Sequence, residues 1–289
     1  MGGRIRVVET WYDDEPASFE GFDLWVCHQR PQPVSPRGWL YFYSIHMDLT
    51  QTREALLANL HKSTAKAIRQ AENQESLSCA FNTAPSEAEV AAFVALYDAS
   101  PRTHGQDPMD RGRIQALHQA GLLHLSSVSD ADGGVLVRHA LLNHEHSSII
   151  QMFVHVSKYL TAKDPAEARA LGRANRFLFF QEFLFYKEQG YRAYDLNGWY
   201  AGVEDEKRLQ INQFKEGFGG RILYGFECEE ALSPRGRVYL WLRGLKQRLF
   251  QPEKMKEIRR RREKAPRLSD EGEPWAKRPP SANSEPTSL

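Results

Sequence analysis

Asp195 closes a short strand read over Arg192–Leu196. A carboxylate at a strand end can take a proton from an amine or hold that amine in line; it can equally cap the turn that follows. Lys215 and Asn212 lie three residues apart and so share one flank of a helix, across from the apolar stripe Ile211, Phe214 and Phe218. A lysine on such a flank can stabilise an oxyanion or hold a phosphate, or simply face water. Lys62, Lys66 and Arg69 recur at i, i+4 and i+7 on another helix. Such a stripe either meets an anion or is a solvated face, and the same two readings apply to Arg259–Arg262. Arg102 and His104 stand in the polar loop Ser100–Asp107, where they are solvated unless the loop covers a ligand.

Metal and thiol chemistry find less support. His144 and His146 alternate in a hairpin loop with no third ligand nearby, so no metal is expected. Cys27, Cys79 and Cys228 are far apart and lack a C-x-x-C spacing, which argues against a disulfide framework or a zinc site. Formal net charge is +1, so no strong global field for nucleic acid is indicated. The first residues lack the apolar core of a signal peptide, and no run approaches the ~18 apolar residues of a membrane span. A cytoplasmic setting is the expectation.

These residues must be held by a recognisable order of elements. Strands are expected over 4–10, 22–30 and 39–47, followed by one helix from Thr52 to Asn73. Leu77–Phe81 is a strand. Ser86 and Glu89 form a capping box for a helix to about Tyr97, and a second helix spans Met109–Ala120. Strands follow at Leu122–Val128, Val135–Leu142 and Ser147–Val156, the first two joined by Asp132-Gly133-Gly134. Asp164, Pro165 and Glu167 start a long helix that ends at Gly190. After the strand Arg192–Leu196 comes a helix from Asp205 to Glu216, then the strand Arg221–Cys228. Val238–Phe250 is a further amphipathic helix, Lys254–Arg267 is densely basic, and Ser269–Leu289 has the composition of a disordered tail.

From Leu77 onward this is an α/β arrangement, antiparallel first and parallel later, and it resembles the GNAT acyltransferase fold. The resemblance implies that the parallel strands Ser147–Val156 and Arg192–Leu196 splay apart, so that an acyl donor's arm pairs with the exposed backbone. It also implies a pyrophosphate site on free N–H groups at the next helix start. Arg169-Ala170-Leu171-Gly172-Arg173-Ala174 matches the family's (Gln or Arg)-x-x-Gly-x-(Gly or Ala) pattern, which assigns Arg169, Gly172, Arg173, Ala174 and Asn175 to the donor. The cap at Asp164 conflicts with this, because it places Gly172 two turns inside the helix.

Three longer segments resemble a narrower group, the FemAB-like acyltransferases, in its small single-module form. They are Leu60–Glu72; Arg173–Leu178 running on to Tyr194-Asp195-Leu196-Asn197-Gly198; and Ile211-Asn212-Gln213-Phe214-Lys215-Glu216-Gly217-Phe218-Gly219-Gly220. The group's Asp-x-Gly-Gly is here Asp-Leu-Asn-Gly, and Asn tolerates positive φ better than most residues. The resemblance implies an N-acyltransferase that uses acyl-CoA, first of all acetyl-CoA, with no permanently bound cofactor. Asp195, Lys215 and Asn212 would be catalytic. Lys62, Lys66, Arg69, Arg102, His104 and Trp199 would contact an amine-bearing acceptor, such as a nucleotide sugar or lipid-linked envelope precursor. Aminoacyl-tRNA as donor and a catalytically idle binding module are the alternatives. The expected organisation is an N-terminal β-rich extension (1–76), a GNAT-like module (77–232), a helical extension (233–268) and a tail (269–289). Leu240, Leu242, Leu245 and Leu249 beside the basic segment suggest a peripheral membrane contact.

Overall fold

The computed structural model describes residues 4–34, 38–100, 109–158 and 162–263. Among these residues the chain forms two compact units. Neither is a continuous stretch of sequence.

The first unit takes residues from Met1–Ser44, Gly198–Asp205 and Ile222–Leu289. Its strands are β1 (Val7–Trp11), β2 (Leu24–Arg30), the first half of β3 (Trp39–Asp48) and β9 (Arg221–Ala231), in the order β1-β2-β9-β3. β1 runs parallel to β2, and β2 pairs antiparallel with β9, setting Cys27 opposite Cys228. Trp25, Cys27 and Cys228 make a small core with Val8, Trp39, Phe226 and Leu232 around it. The helices α7 (Pro234–Phe250) and α8 (Pro252–Arg260) belong to the same unit. The chain therefore divides differently from the expected 1–76, 77–232 and 233–268 segments. The physical reason is the β2–β9 ladder, which ties the N-terminal strands to the last one.

The second unit, Ile45–Asn197 and Glu206–Arg221, carries the GNAT-like arrangement. The second half of β3 is followed in the sheet by β8 (Ala193–Gly198), β7 (Ile149–Ser157), β6 (Val135–His144), β5 (Leu123–Ser129) and β4 (Ser78–Asn82). β4 to β7 are antiparallel neighbours, and β7 and β8 are parallel. Local chemistry explains most helix boundaries. α3 (Glu87–Ala99) begins at the Ser86–Glu89 capping box, and α4 (Arg111–Gln119) at Asp110. α5 (Pro165–Glu188) begins where the Asp164 carboxylate accepts from the N–H groups of Ala166 and Glu167.

The expected single helix from Thr52 to Asn73 is instead two, α1 (Arg53–Asn59) and α2 (Lys62–Gln74). Leu60 and His61 between them are extended, and the His61 N–H donates to the Gly217 carbonyl, 2.9 Å. A bond to a residue ~150 positions away thus replaces the one that would have continued the helix.

α5 supplies the core of this unit through Leu171, Phe177, Leu178, Phe180 and Phe183. Phe183 packs edge-on to Tyr194 of β8, centroids 4.9 Å apart, and to Phe218, 5.6 Å. Each such side chain contributes about 1.5–3 kcal/mol by burial. α6 (Glu206–Glu216) is anchored to α5 by Phe214 and Phe218 against Phe179, and by the Arg176 guanidinium 4.8 Å from the Phe214 ring centroid. The turn after α6 is built from glycine because space demands it. Gly219 has φ +76°, and a Cβ there would run into the Asn59 carbonyl.

Candidate functional site

The ladder between β7 and β8 is short. It pairs Ile149 with Ala193, Ile150 with Tyr194, and Gln151 with Asp195, while β7 continues to Ser157. A bulge explains the parting. On the other side of β7 the register passes from Leu141↔Met152 to Ala140↔Val154, leaving Phe153 as the extra residue. A bulge bends its strand and increases local twist, here just past the last pair with β8. Asn197 sits across the opening. It is left-handed at φ +64°, donates its backbone N–H to Asp195 Oδ1 (2.7 Å), and donates from Nδ2 to the Met152 carbonyl, 2.9 Å. The positive φ expected of Asn197 is present.

Asp195 is fully buried. Its Oδ2 accepts from Gln151 Nε2 at 3.1 Å, and His46 Nε2 stands 3.6 Å from Oδ1. Gln151 is in turn 3.4 Å from His144 Nε2 through its Oε1. Lys215 is partly buried on α6 within Coulombic reach of Asp195. Desolvation pulls its ammonium down to about 8, with Asp195 acting the other way. Asn212, one turn earlier, is buried.

His155 lies on the free length of β7 and keeps an exposed side chain. Partial desolvation, and then the neighbouring His139 and Lys215, lower its pKa from the ordinary imidazole value. Behind it is a second polar cluster centred on the fully buried Glu182. The Glu182 carboxylate accepts from Ser126 Oγ and from Tyr194 OH (2.7 Å), and meets His139 Nδ1 at 2.8 Å. His139 Nε2 reaches Asn175 Oδ1 at 2.9 Å. Burial and the Glu182 charge drive the Tyr194 phenol far above its ordinary range. Consecutive residues of β8, Tyr194 and Asp195, thus anchor the two clusters on opposite faces of the sheet.

The expected donor residues look different in place. Gly172 and Ala174 lie two turns inside α5, where backbone N–H groups are spent on the helix. The first-turn donors of α5 are already taken by Asp164. Arg173 pairs with Glu75, Asn175 belongs to the His139 cluster, and Arg169 is exposed. Residues 169–174 therefore offer no free amides for a pyrophosphate, and the pattern match is corrected on that ground. Lys62, Lys66 and Arg69 are exposed on the outer flank of α2. Trp199 lies in the first unit, in an aromatic cluster with Tyr41, Tyr43 and Tyr224. Arg102 and His104 fall outside the described residues.

Gln151, His46, His155, His139 and Glu182 were not picked out from the sequence. The available signals were polar residues where apolar ones prevail: Gln151 and His155 in β7, and Glu182 interrupting an aromatic run. Among the described residues no three His, Cys, Asp or Glu side chains come together as a metal site.

No family model matches the chain, and no curated protein matches it. Solved structures do. FemX superposes with a TM-score of 0.50 at 12% identity, over 72% of this chain and 64% of FemX. L-PGS from Bacillus licheniformis gives 0.46 at 14% identity, over 78% of this chain and 73% of the other. A tandem GNAT protein from the clavulanic acid biosynthesis pathway gives 0.37 at 11%, over 74% and 65%. The chain thus spans 64% of FemX, and the likeness to FemX shows the fold: a mixed GNAT-like sheet flanked by helices.

Proposed function

We propose that this protein is an N-acyltransferase, moving an acyl group from an activated donor to an amine beside the β7–β8 opening. The observation that carries the reading is the parting of these two parallel strands after Gln151–Asp195. It leaves the backbone of 153–157 as an edge on which an amide-containing donor can lie as an added strand. Lys215, with a pKa of about 8, is largely charged at pH 7 and can stabilise the oxyanion that forms as the amine attacks. His155, open to solvent on the same strand, can in its neutral form accept a hydrogen bond from the amine and relay its proton to water. Asp195 is closed off from solvent, so we assign it a positioning role, holding the Lys215 charge in place, rather than contact with the amine.

For the donor, acyl-CoA, acetyl-CoA first, is one reading. The peptide-like arm fits the strand edge, but residues 169–174 do not fit a pyrophosphate. That misfit favours a second reading, an aminoacyl-tRNA donor. The acceptor we propose is a sugar or envelope precursor with an anionic group, for which exposed Lys62, Lys66 and Arg69 provide the charge.

Thermal-shift measurements with acetyl-CoA, longer acyl-CoAs, aminoacyl-tRNA and UDP-amino sugars test this. A true ligand raises the melting temperature by mass action, about 2.7 kcal/mol at a hundredfold excess over Kd. Stabilisation by one donor class with turnover of an amine supports the assignment and identifies the donor. No stabilisation by any donor sinks it and favours an idle GNAT-like module.

A further inference from the structure

α7 is amphipathic the wrong way round for a helix that serves only its own core. Its inward positions are Gly236, Leu240, Arg243, Gly244 and Gln247, of which Gly236 is fully buried against the Asp23 backbone. Arg243 is held there by Glu229, with a 2.8 Å bond from Nη1. The apolar stripe at i, i+3, i+4, i+7 and i+11, Val238, Trp241, Leu242, Leu245 and Leu249, faces outward, with side chains 42% to 66% exposed. Phe250 extends it at 74% exposed. Leu240, expected from the sequence to be part of this surface, is instead half-buried.

Single exposed apolar residues are ordinary, but a contiguous stripe of five at helical spacing marks a surface that something covers. Charge says what. Between Pro234 and Phe250 the helix carries Arg235, Arg237, Arg243, Lys246 and Arg248 and no carboxylate. Lys254, Lys256 and Arg259 of α8 are exposed nearby in the chain. A second copy of this face would set like charges against each other. An anionic bilayer surface meets both features, since the basic side chains engage phosphate headgroups while Trp241, Leu242 and Phe250 enter the acyl boundary. Among the described residues no helix is long and apolar enough to cross a membrane, so the helix would lie in the interface.

We propose that α7 is a membrane-surface helix that binds bilayers rich in anionic phospholipid. The test is co-sedimentation of the full chain with vesicles of phosphatidylcholine alone and with about one-third phosphatidylglycerol, alongside sedimentation velocity without lipid. The expected result is at least tenfold stronger binding to the anionic vesicles, weakened by 0.5 M salt. It should be lost in Trp241→Ser/Leu245→Ser, whose exposed positions leave folding intact by circular dichroism. A second variant, Arg237→Gln/Arg248→Gln, should weaken binding to anionic vesicles while the stripe is unchanged. Equal association with both vesicle types, or none, overturns the proposal. So does a lipid-free dimer that Trp241→Ser/Leu245→Ser converts to monomer, which would make the stripe a protein interface.

Discussion

Replacing Lys215 by Met should make the protein more stable and less active. In the fold, Lys215 gives up its proton at about 8 rather than its ordinary 10.5, chiefly through desolvation. Between these pH values the unfolded chain binds more protons than the folded one, so wild-type stability rises with pH across that window. Below about 8 the whole cost is present. The shift from 10.5 to about 8 corresponds to ~3 kcal/mol, and Met keeps the stem's packing without the charge. The variant should therefore be more stable than wild type by up to ~3 kcal/mol at pH 7, with the difference shrinking towards zero as pH approaches 10.5. Urea denaturation of both proteins at pH 7, 8.5 and 10 measures this, and taking the difference cancels other titrating groups. A variant less stable than wild type at pH 7, or a gap that does not change with pH, would refute the reasoning that Lys215 is held charged at a cost for the sake of the reaction.

Three further outcomes are expected. Asn197→Gly should retain most stability because φ +64° suits glycine, whereas Asn197→Val should lose about 1–2 kcal/mol or more in chemical denaturation. His124, buried with Nδ1 3.1 Å from the Tyr186 hydroxyl, has its pKa pulled by burial from 6.5 to about 4. Its contribution is intact above pH 6.5 and lost as pH falls towards 4, up to ~3 kcal/mol, so a His124→Gln variant should show a shallower acid slope. Removing the Glu182 carboxylate with Glu182→Leu strands the Ser126, His139 and Tyr194 partners and should cost on the order of 3–5 kcal/mol, visible in Tm, while Glu182→Gln should cost less.

What could be read from sequence followed from how local the cause was. Ser86 and Glu89, or Asp164 and Pro165, determine their helix starts within four residues, and those boundaries agree with the structure. The break at Leu60–His61 depends on the Gly217 carbonyl, and nothing between Thr52 and Asn73 announces it. At Arg169–Ala174 two local signals competed, and the cap prevailed over the pattern because a carboxylate on free N–H groups is a specific interaction, whereas a six-residue motif without its turn is not. Asp195 and Lys215 were visible by type and spacing. Gln151 becomes meaningful only once β7 is set beside β8, and Glu182 only once α5 covers His139 of β6. The two-unit division was hidden for the same reason, since it rests on a ladder between Leu24–Arg30 and the last strand.

The central claim is that an acyl donor lies along the open edge of β7. Backbone hydrogen exchange, followed by mass spectrometry with and without whichever donor stabilises the protein, addresses it directly. The account predicts slowed exchange in Phe153–Ser157, where the strand has parted from β8, and little change at 169–174, whose amides are already bonded within α5. Saturating donor that leaves Phe153–Ser157 unchanged while protecting another segment would contradict it.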